Sequence, residues 1–193
     1  MRVPRLVVCH LGGGCSITAV LDGRSVDTTM GFSPLEGVPM ATRSGNVDPG
    51  VIVFLLREAK MTVEELDHAL EHESGLLGLG GSTDPRELEG TLALGVYVYR
   101  IAAAVAAMAA ALGGLDAIVF TAGVGENSVT IRREICRRLA FLGVELDDEA
   151  NESAEPDCDI GADGSPVRVV VVRAREELVI AQQVRKLGYA RVG

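Results

Sequence analysis

The sequence predicts an α/β fold, a mixed sheet flanked by helices, on two observations. The first thirty residues read as three short strands joined by glycine turns. The later chain alternates apolar strand runs with helical segments, giving the order βββαβαβα. At 193 residues, 48% hydrophobic and 23% charged, the chain is one domain large enough to bury a proper core.

Leu6, Val7 and Val8 open the first strand candidate; residues 17–21 and 25–29 supply the second and third. Between the first two lies Gly12-Gly13-Gly14. Three adjacent residues without Cβ let the main chain take φ > 0 and turn several N–H groups to one side, as a phosphate oxygen requires. A tight hairpin bend explains the same glycines equally well. Asp22-Gly23 makes the next turn. Asp48 as N-cap and Pro49 at the first helical position start a helix through Arg57, and Thr62 with Glu65 forms a capping box for a helix to about His72.

Residues 73–84 are glycine-rich and read as loop. A long alanine-rich helix follows, roughly 87–112, suited to a core or to a subunit interface. Residues 117–121 form an apolar strand with burial expected on both faces. The turn 122–128 leads into a helix through Arg132 to Leu142, then a strand over 167–172 and a last helix over 176–186. The acidic, turn-rich stretch 147–164 reads as a surface excursion.

A net charge of −9 argues against nucleic acid or an anionic membrane as partner. The longest apolar run, residues 101–112, falls short of the roughly 18 residues of a spanning helix, and the N-terminal residues do not read as a signal peptide. All basic residues except Lys60 and Lys186 are arginine, which base composition explains as readily as function. The four cysteines are scattered without a CxxC pair, as in a reduced cytosolic protein without a zinc site. His68 and His72 stand i, i+4 but lack an HExxH pattern or a third ligand, so exposed histidines are the simpler reading.

Gly123-Val124-Gly125 between a strand and a helix suggests a dinucleotide fingerprint, with Glu145 and Asp147 at the distance of a ribose acid. Ser128 replaces the third glycine, and the strand order is not that of a βαβ half. No GxxxxGK[ST] occurs, which excludes a P-loop.

The block HLGGGCSITAVLDGRSVDTTMGFSPLEG, followed by TRSGNVDPG, resembles the acetate kinase family. The resemblance extends with gaps to the end of the chain and matches only the second half of that family's polypeptide. It implies a ribonuclease H-like fold, as in actin, Hsp70 and sugar kinases, with residues 1–193 as a single C-terminal nucleotide-binding domain and the N-terminal domain absent. It further implies ATP or ADP with Mg²⁺, acetate or another short carboxylate as acceptor, acetyl phosphate as product, a cytoplasmic location and a homodimer.

By the same resemblance, Gly12, Gly13 and Gly14 form the phosphate loop with His10 near the nucleotide phosphates. Arg43 stabilises the transferring phosphoryl group, a task that suits a planar cation unable to lose its proton. Asp84 and Arg86 match a DFR segment at the ribose and adenine, and Gly123, Val124, Gly125 and Asn127 match the adenosine segment FTAGIGEN. Glu176 matches a glutamate beside magnesium, and Pro34 a proline of the acetate pocket.

The chain departs from the family at Gly13 (asparagine), Pro85 (phenylalanine) and Arg175 (asparagine), and is about ten residues shorter near Glu89 to Leu92. The family's remaining catalytic groups lie in its N-terminal half, so the chain alone is expected to be catalytically incomplete. A non-catalytic remnant or dimerisation module, or half of a propionate or butyrate kinase, is the alternative.

Overall fold

The computed structural model describes residues 4–189. β1 (Arg5–Leu11), β2 (Cys15–Leu21) and β3 (Arg24–Thr28) form the expected antiparallel meander. Asp22 and Gly23, at φ 49° and 83°, both occupy the left-handed region, which matches a two-residue hairpin to the twist of its strands. The expected φ > 0 at Gly12, Gly13 and Gly14 does not occur; none of the three is left-handed. Their bend is closed instead by the Gly12 N–H donating to the Gly14 carbonyl at 3.0 Å.

Three helices follow: α1 (Pro49–Arg57), α2 (Val63–His72) and α3 (Gly75–Gly80). The Asp48 side chain accepts from the Gly50 N–H at 2.7 Å to cap α1, and the Thr62–Glu65 box closes on α2. α3 corrects the loop expected over 73–84. Its sequence GLLGLG has poor helix propensity, and tertiary bonds supply what propensity lacks: Leu76 and Leu77 donate to the carbonyls of Met40 and Ala41.

The long helix also begins later than expected. Asp84 caps a 3₁₀ turn, Pro85–Leu88, Gly90 turns left-handed (φ 74°), and α4 (Leu92–Leu112) starts afresh from Thr91 as N-cap. β4 (Ala117–Thr121) is followed by the short α5 (Ala122–Asn127), α6 (Val129–Arg138) and a 3₁₀ turn, Ala140–Leu142. α7 (Asp148–Glu152), the two-residue β5 (Cys158–Asp159), β6 (Arg168–Val171) and α8 (Glu176–Tyr189) complete the described chain.

The six strands lie in the order β3-β2-β1-β4-β6-β5, with β1, β4 and β6 parallel and the rest antiparallel. Register places Val7, Ile17, Ala19, Ile118, Phe120, Val169 and Val171 on one face, where all are fully buried. The other face, with Val8, Thr18, Val119 and Val170, is half-buried, so the two-sided burial expected of β4 is complete on one side only.

α4 covers the buried face with Tyr97, Ile101 and Val105, while Ala103, Ala107, Ala110 and Ala111 stay exposed. At 21 residues it is long and apolar enough to cross a membrane by length and composition, but ten of its side chains are buried, as in a core helix. α6 packs beside it through Ile131, Ile135 and Cys136. All four cysteines are free; burial pushes the Cys136 thiol up to about 12, and those of Cys9 and Cys15 upward as well.

The stretch 147–164 is not merely a surface excursion. Asn151 and Ile160 within it are fully buried, and Cys158–Asp159 adds the edge strand β5.

Candidate functional site

Parallel strands send their carboxyl ends to one edge of a sheet, and here three of them do: β1 into the glycine bend, β4 into α5, β6 into the segment before α8. His10 pairs in register with Thr121, so both glycine-bearing turns leave the sheet at the same level. A Cβ placed on Gly12 would sit 3.6 Å from that of Ala122. The two bends therefore converge.

Around the first bend lies a pocket of about 410 Å³ that brings together His10, Gly12, Gly13, Gly14, Pro34, Arg43 and Glu176. His10 Nε2 stands 3.8 Å from Glu176 Oε1. No acceptor among the described residues takes the N–H of Gly13 or Gly14, so both remain available to a ligand. Arg43 contacts Met40 Sδ at 3.9 Å and pairs with no carboxylate of the described residues; its Nη1 lies 3.3 Å from where a Cβ on Gly14 would be.

Main-chain bonds hold the loop that carries Arg43. Leu76, Leu77 and Ser74 donate to the carbonyls of Met40, Ala41 and Thr42, and the Ala41 N–H donates to the Gly13 carbonyl at 3.2 Å. Arginine loop and glycine bend are thereby fixed to each other.

A second cleft, about 460 Å³, lies at the end of β4 and is lined by Thr83, Asp84, Pro85, Arg86, Gly123, Val124, Asn127 and Ser128. Pro85 keeps Asp84 extended (φ −92°, ψ 111°), and the carboxylate accepts from both the N–H and the guanidinium of Arg86. Arg86 holds the Asp84 carboxyl down at about 2. With its folded value depressed, the pair is intact above the ordinary carboxylate range and is lost only as pH falls toward 2. Asn127 donates to the Gly123 carbonyl at 2.8 Å. Gly125 is different: it is buried against Phe120, Cys9 and Leu11, and serves close packing of α5 on β1 rather than lining the cleft.

Sequence reasoning passed over the residues that support this edge. Ala122 has φ 66°, a conformation that costs an L-residue about 1–2 kcal/mol, and the Glu126 carboxylate accepts its N–H at 3.0 Å. Arg132, fully buried, donates to the carbonyls of Gly125 and Glu126 at the end of α5 and to Asn151 Oδ1 and O. Burial pulls its pKa below the usual arginine value. Helical spacing puts an arginine in α6, but no sequence signal marks this one as internal. Arg175 is engaged with Asp157. The rings of His68 and His72 lie 5.0 Å apart, tilted by 50°, with Glu73 3.5 Å from His68, and no group of three metal-binding side chains forms among the described residues.

This mixed sheet, with its open edge at the ends of three parallel strands, is a ribonuclease H-like domain of the type shared by actin, Hsp70 and sugar kinases. It superposes on the crystal structure of Porphyromonas gingivalis acetate kinase with a TM-score of 0.89 at 39% identity, over 96% of this chain and 49% of that one. A propionate kinase from Francisella tularensis gives 0.87 at 40%, over 94% and 49%. In sequence, the acetate kinase of Gloeobacter violaceus is 51% identical over 189 residues, 93% of this chain and 47% of that protein. The acetokinase family model matches residues 3–182, and the chain belongs to that family. It spans about half the length of the curated relatives it matches.

Proposed function

We propose that this chain is the nucleotide-binding half of an acetate kinase. It holds Mg-ATP or Mg-ADP for phosphoryl transfer between nucleotide and acetate, and needs the family's N-terminal half to turn over. The observation that carries the reading is the convergence of the two bends: Gly12 of the first pocket approaches Ala122, which directly precedes Gly123 of the second.

The residues present fit the groups. Gly13 and Gly14 offer N–H donors that no described residue takes, Arg43 a guanidinium without a carboxylate partner among the described residues, and the exposed Glu176 a hard oxygen for a cation that keeps most of its waters. Magnesium, when bound, neutralises charge that builds on the phosphates. Pro34, beside Met30 and Met40, is the candidate wall of the carboxylate pocket, and likeness to a propionate kinase keeps the acceptor at the level of a short carboxylate.

On this reading these groups supply one wall of the reaction cleft, whereas phosphoryl transfer depends on positioning and charge stabilisation from both. The departures at Pro85 and Arg175 weigh less toward an inert remnant than their letters imply. Pro85 is buried at the start of a capped turn, and Arg175 is taken up by Asp157. A cytoplasmic location follows from the same reading.

Calorimetric titration with MgADP tests it. The wild type is expected to bind, Arg86→Ala and Asn127→Ala to weaken binding by about tenfold or more, and Gly13→Asn to strengthen it, since a Cβ there meets no atom within 4 Å. No heat from the wild type at millimolar nucleotide overturns the proposal.

The homodimer is assigned to α1 rather than to α4. α1 reads PGVIVFLLR yet buries none of its residues, with Val51, Val53 and Phe54 exposed. Sedimentation is expected to show a dimer at micromolar concentration that Phe54→Glu converts to monomer; a monomeric wild type counts against it.

A further inference from the structure

The two pockets are built on segments far apart in sequence, and one side chain joins them. Glu126 Oε1 accepts the N–H of Ala122 at 3.0 Å and the N–H of Ala174, 48 residues away, at 2.8 Å. Ala122 is the left-handed residue immediately before Gly123 of the nucleoside cleft. Ala174 ends the segment leaving β6, two residues before Glu176, whose carboxylate faces His10 in the phosphate pocket. The main-chain carbonyl of Glu126 is itself held by the buried Arg132 at 2.7 Å, so the bridging residue is anchored from behind.

The geometry points to Glu126 as a positioning residue that sets the distance between the nucleoside cleft and the Glu176 carboxylate, so that one nucleotide engages both. This rests on the nucleotide reading above. The competing role for a glutamate at such an edge is to supply charge to a cation. The bridging oxygen is already committed to two amide donors, and a neutral oxygen of the same reach would accept both bonds.

Three variants separate the roles. Glu126→Gln keeps the acceptor and the reach, Glu126→Asp keeps the charge and loses a methylene of reach, and Glu126→Ala loses both. In the ligand-free protein, amide hydrogen exchange is expected to rise about tenfold in both residues 121–127 and 172–176 for the alanine and aspartate variants, and to stay within about threefold of wild type for glutamine. The MgADP dissociation constant follows the same order, about tenfold weaker for alanine and aspartate and near wild type for glutamine.

Exchange that rises in 121–127 alone, or a glutamine variant as impaired as alanine in either measurement, overturns the bridge. A wild type that binds no MgADP would refute the nucleotide reading, and the ligand-free exchange pattern would still decide whether Glu126 couples the two segments.

Discussion

Arg132→Met is expected to destabilise the chain by roughly 3–5 kcal/mol, read as a shift of the urea midpoint at constant slope. The fully buried guanidinium satisfies two carbonyls at the end of α5 and two oxygens of Asn151, which itself donates to the Val129 carbonyl. Methionine fills much of the volume but leaves those oxygens without donors. The neighbouring Arg133 provides the contrast. It pairs with Asp148 and Glu152, both more than half exposed, so solvent screens the pair and Arg133→Ala should move the midpoint far less than Arg132→Met. Equal losses at the two positions would mean that burial and donor geometry do not set the value of Arg132.

Gly75→Ala is the second large effect. At φ 60° a Cβ would lie 2.2 Å from the Met40 carbonyl oxygen and 2.7 Å from that of Arg43. Left-handed strain alone costs about 1–2 kcal/mol, and the clash falls on backbone that cannot rotate away. A total near 3 kcal/mol lowers the melting temperature by about 10 °C in a chain of this size. Gly81→Ala isolates the strain, because Gly81 has φ 79° and an added Cβ there meets nothing. Its loss should be about one-third to two-thirds as large, and if the two variants melt together the clash contributes nothing. Since the displaced carbonyls belong to the Met40–Arg43 loop, Gly75→Ala also moves Arg43, whose guanidinium lies beside the glycine bend.

Much of the fold was legible because its punctuation is local. Asp48-Pro49, Thr62 with Glu65, and Asp22-Gly23 each act within four residues, and each does in the structure what its chemistry dictates. Errors arose where distant contacts overrule local preference. α3 forms from a glycine-rich string because Met40 and Ala41 accept its first N–H groups and Gly80 lets it pack against Leu88 and Ala93. The start of α4 was misplaced because a capped 3₁₀ turn and a left-handed Gly90 interrupt what composition reads as one helix.

The candidate site divides the same way. The glycines of the first bend stand out in any reading, though for a backbone geometry they turn out not to adopt. His10, Arg43, Asp84, Arg86 and Glu176 were legible only through the family resemblance, since no spacing rule connects Arg43 to Gly14 or Glu176 to His10. Glu126 and Arg132 escaped both routes, because their partners are carbonyls and amides, which leave no mark on the sequence.

The central position of β1 has a consequence for the order in which the molecule is made. Its partner on one side, β2, follows at once, but Leu6 pairs on the other side with Ala117, more than a hundred residues later. During synthesis the meander can therefore close long before its middle strand is flanked, leaving a bare row of N–H and C=O groups on Val7 and Cys9. The nascent chain is most exposed to edge-to-edge association in that interval, and the arrival of Ile118 and Phe120 ends it.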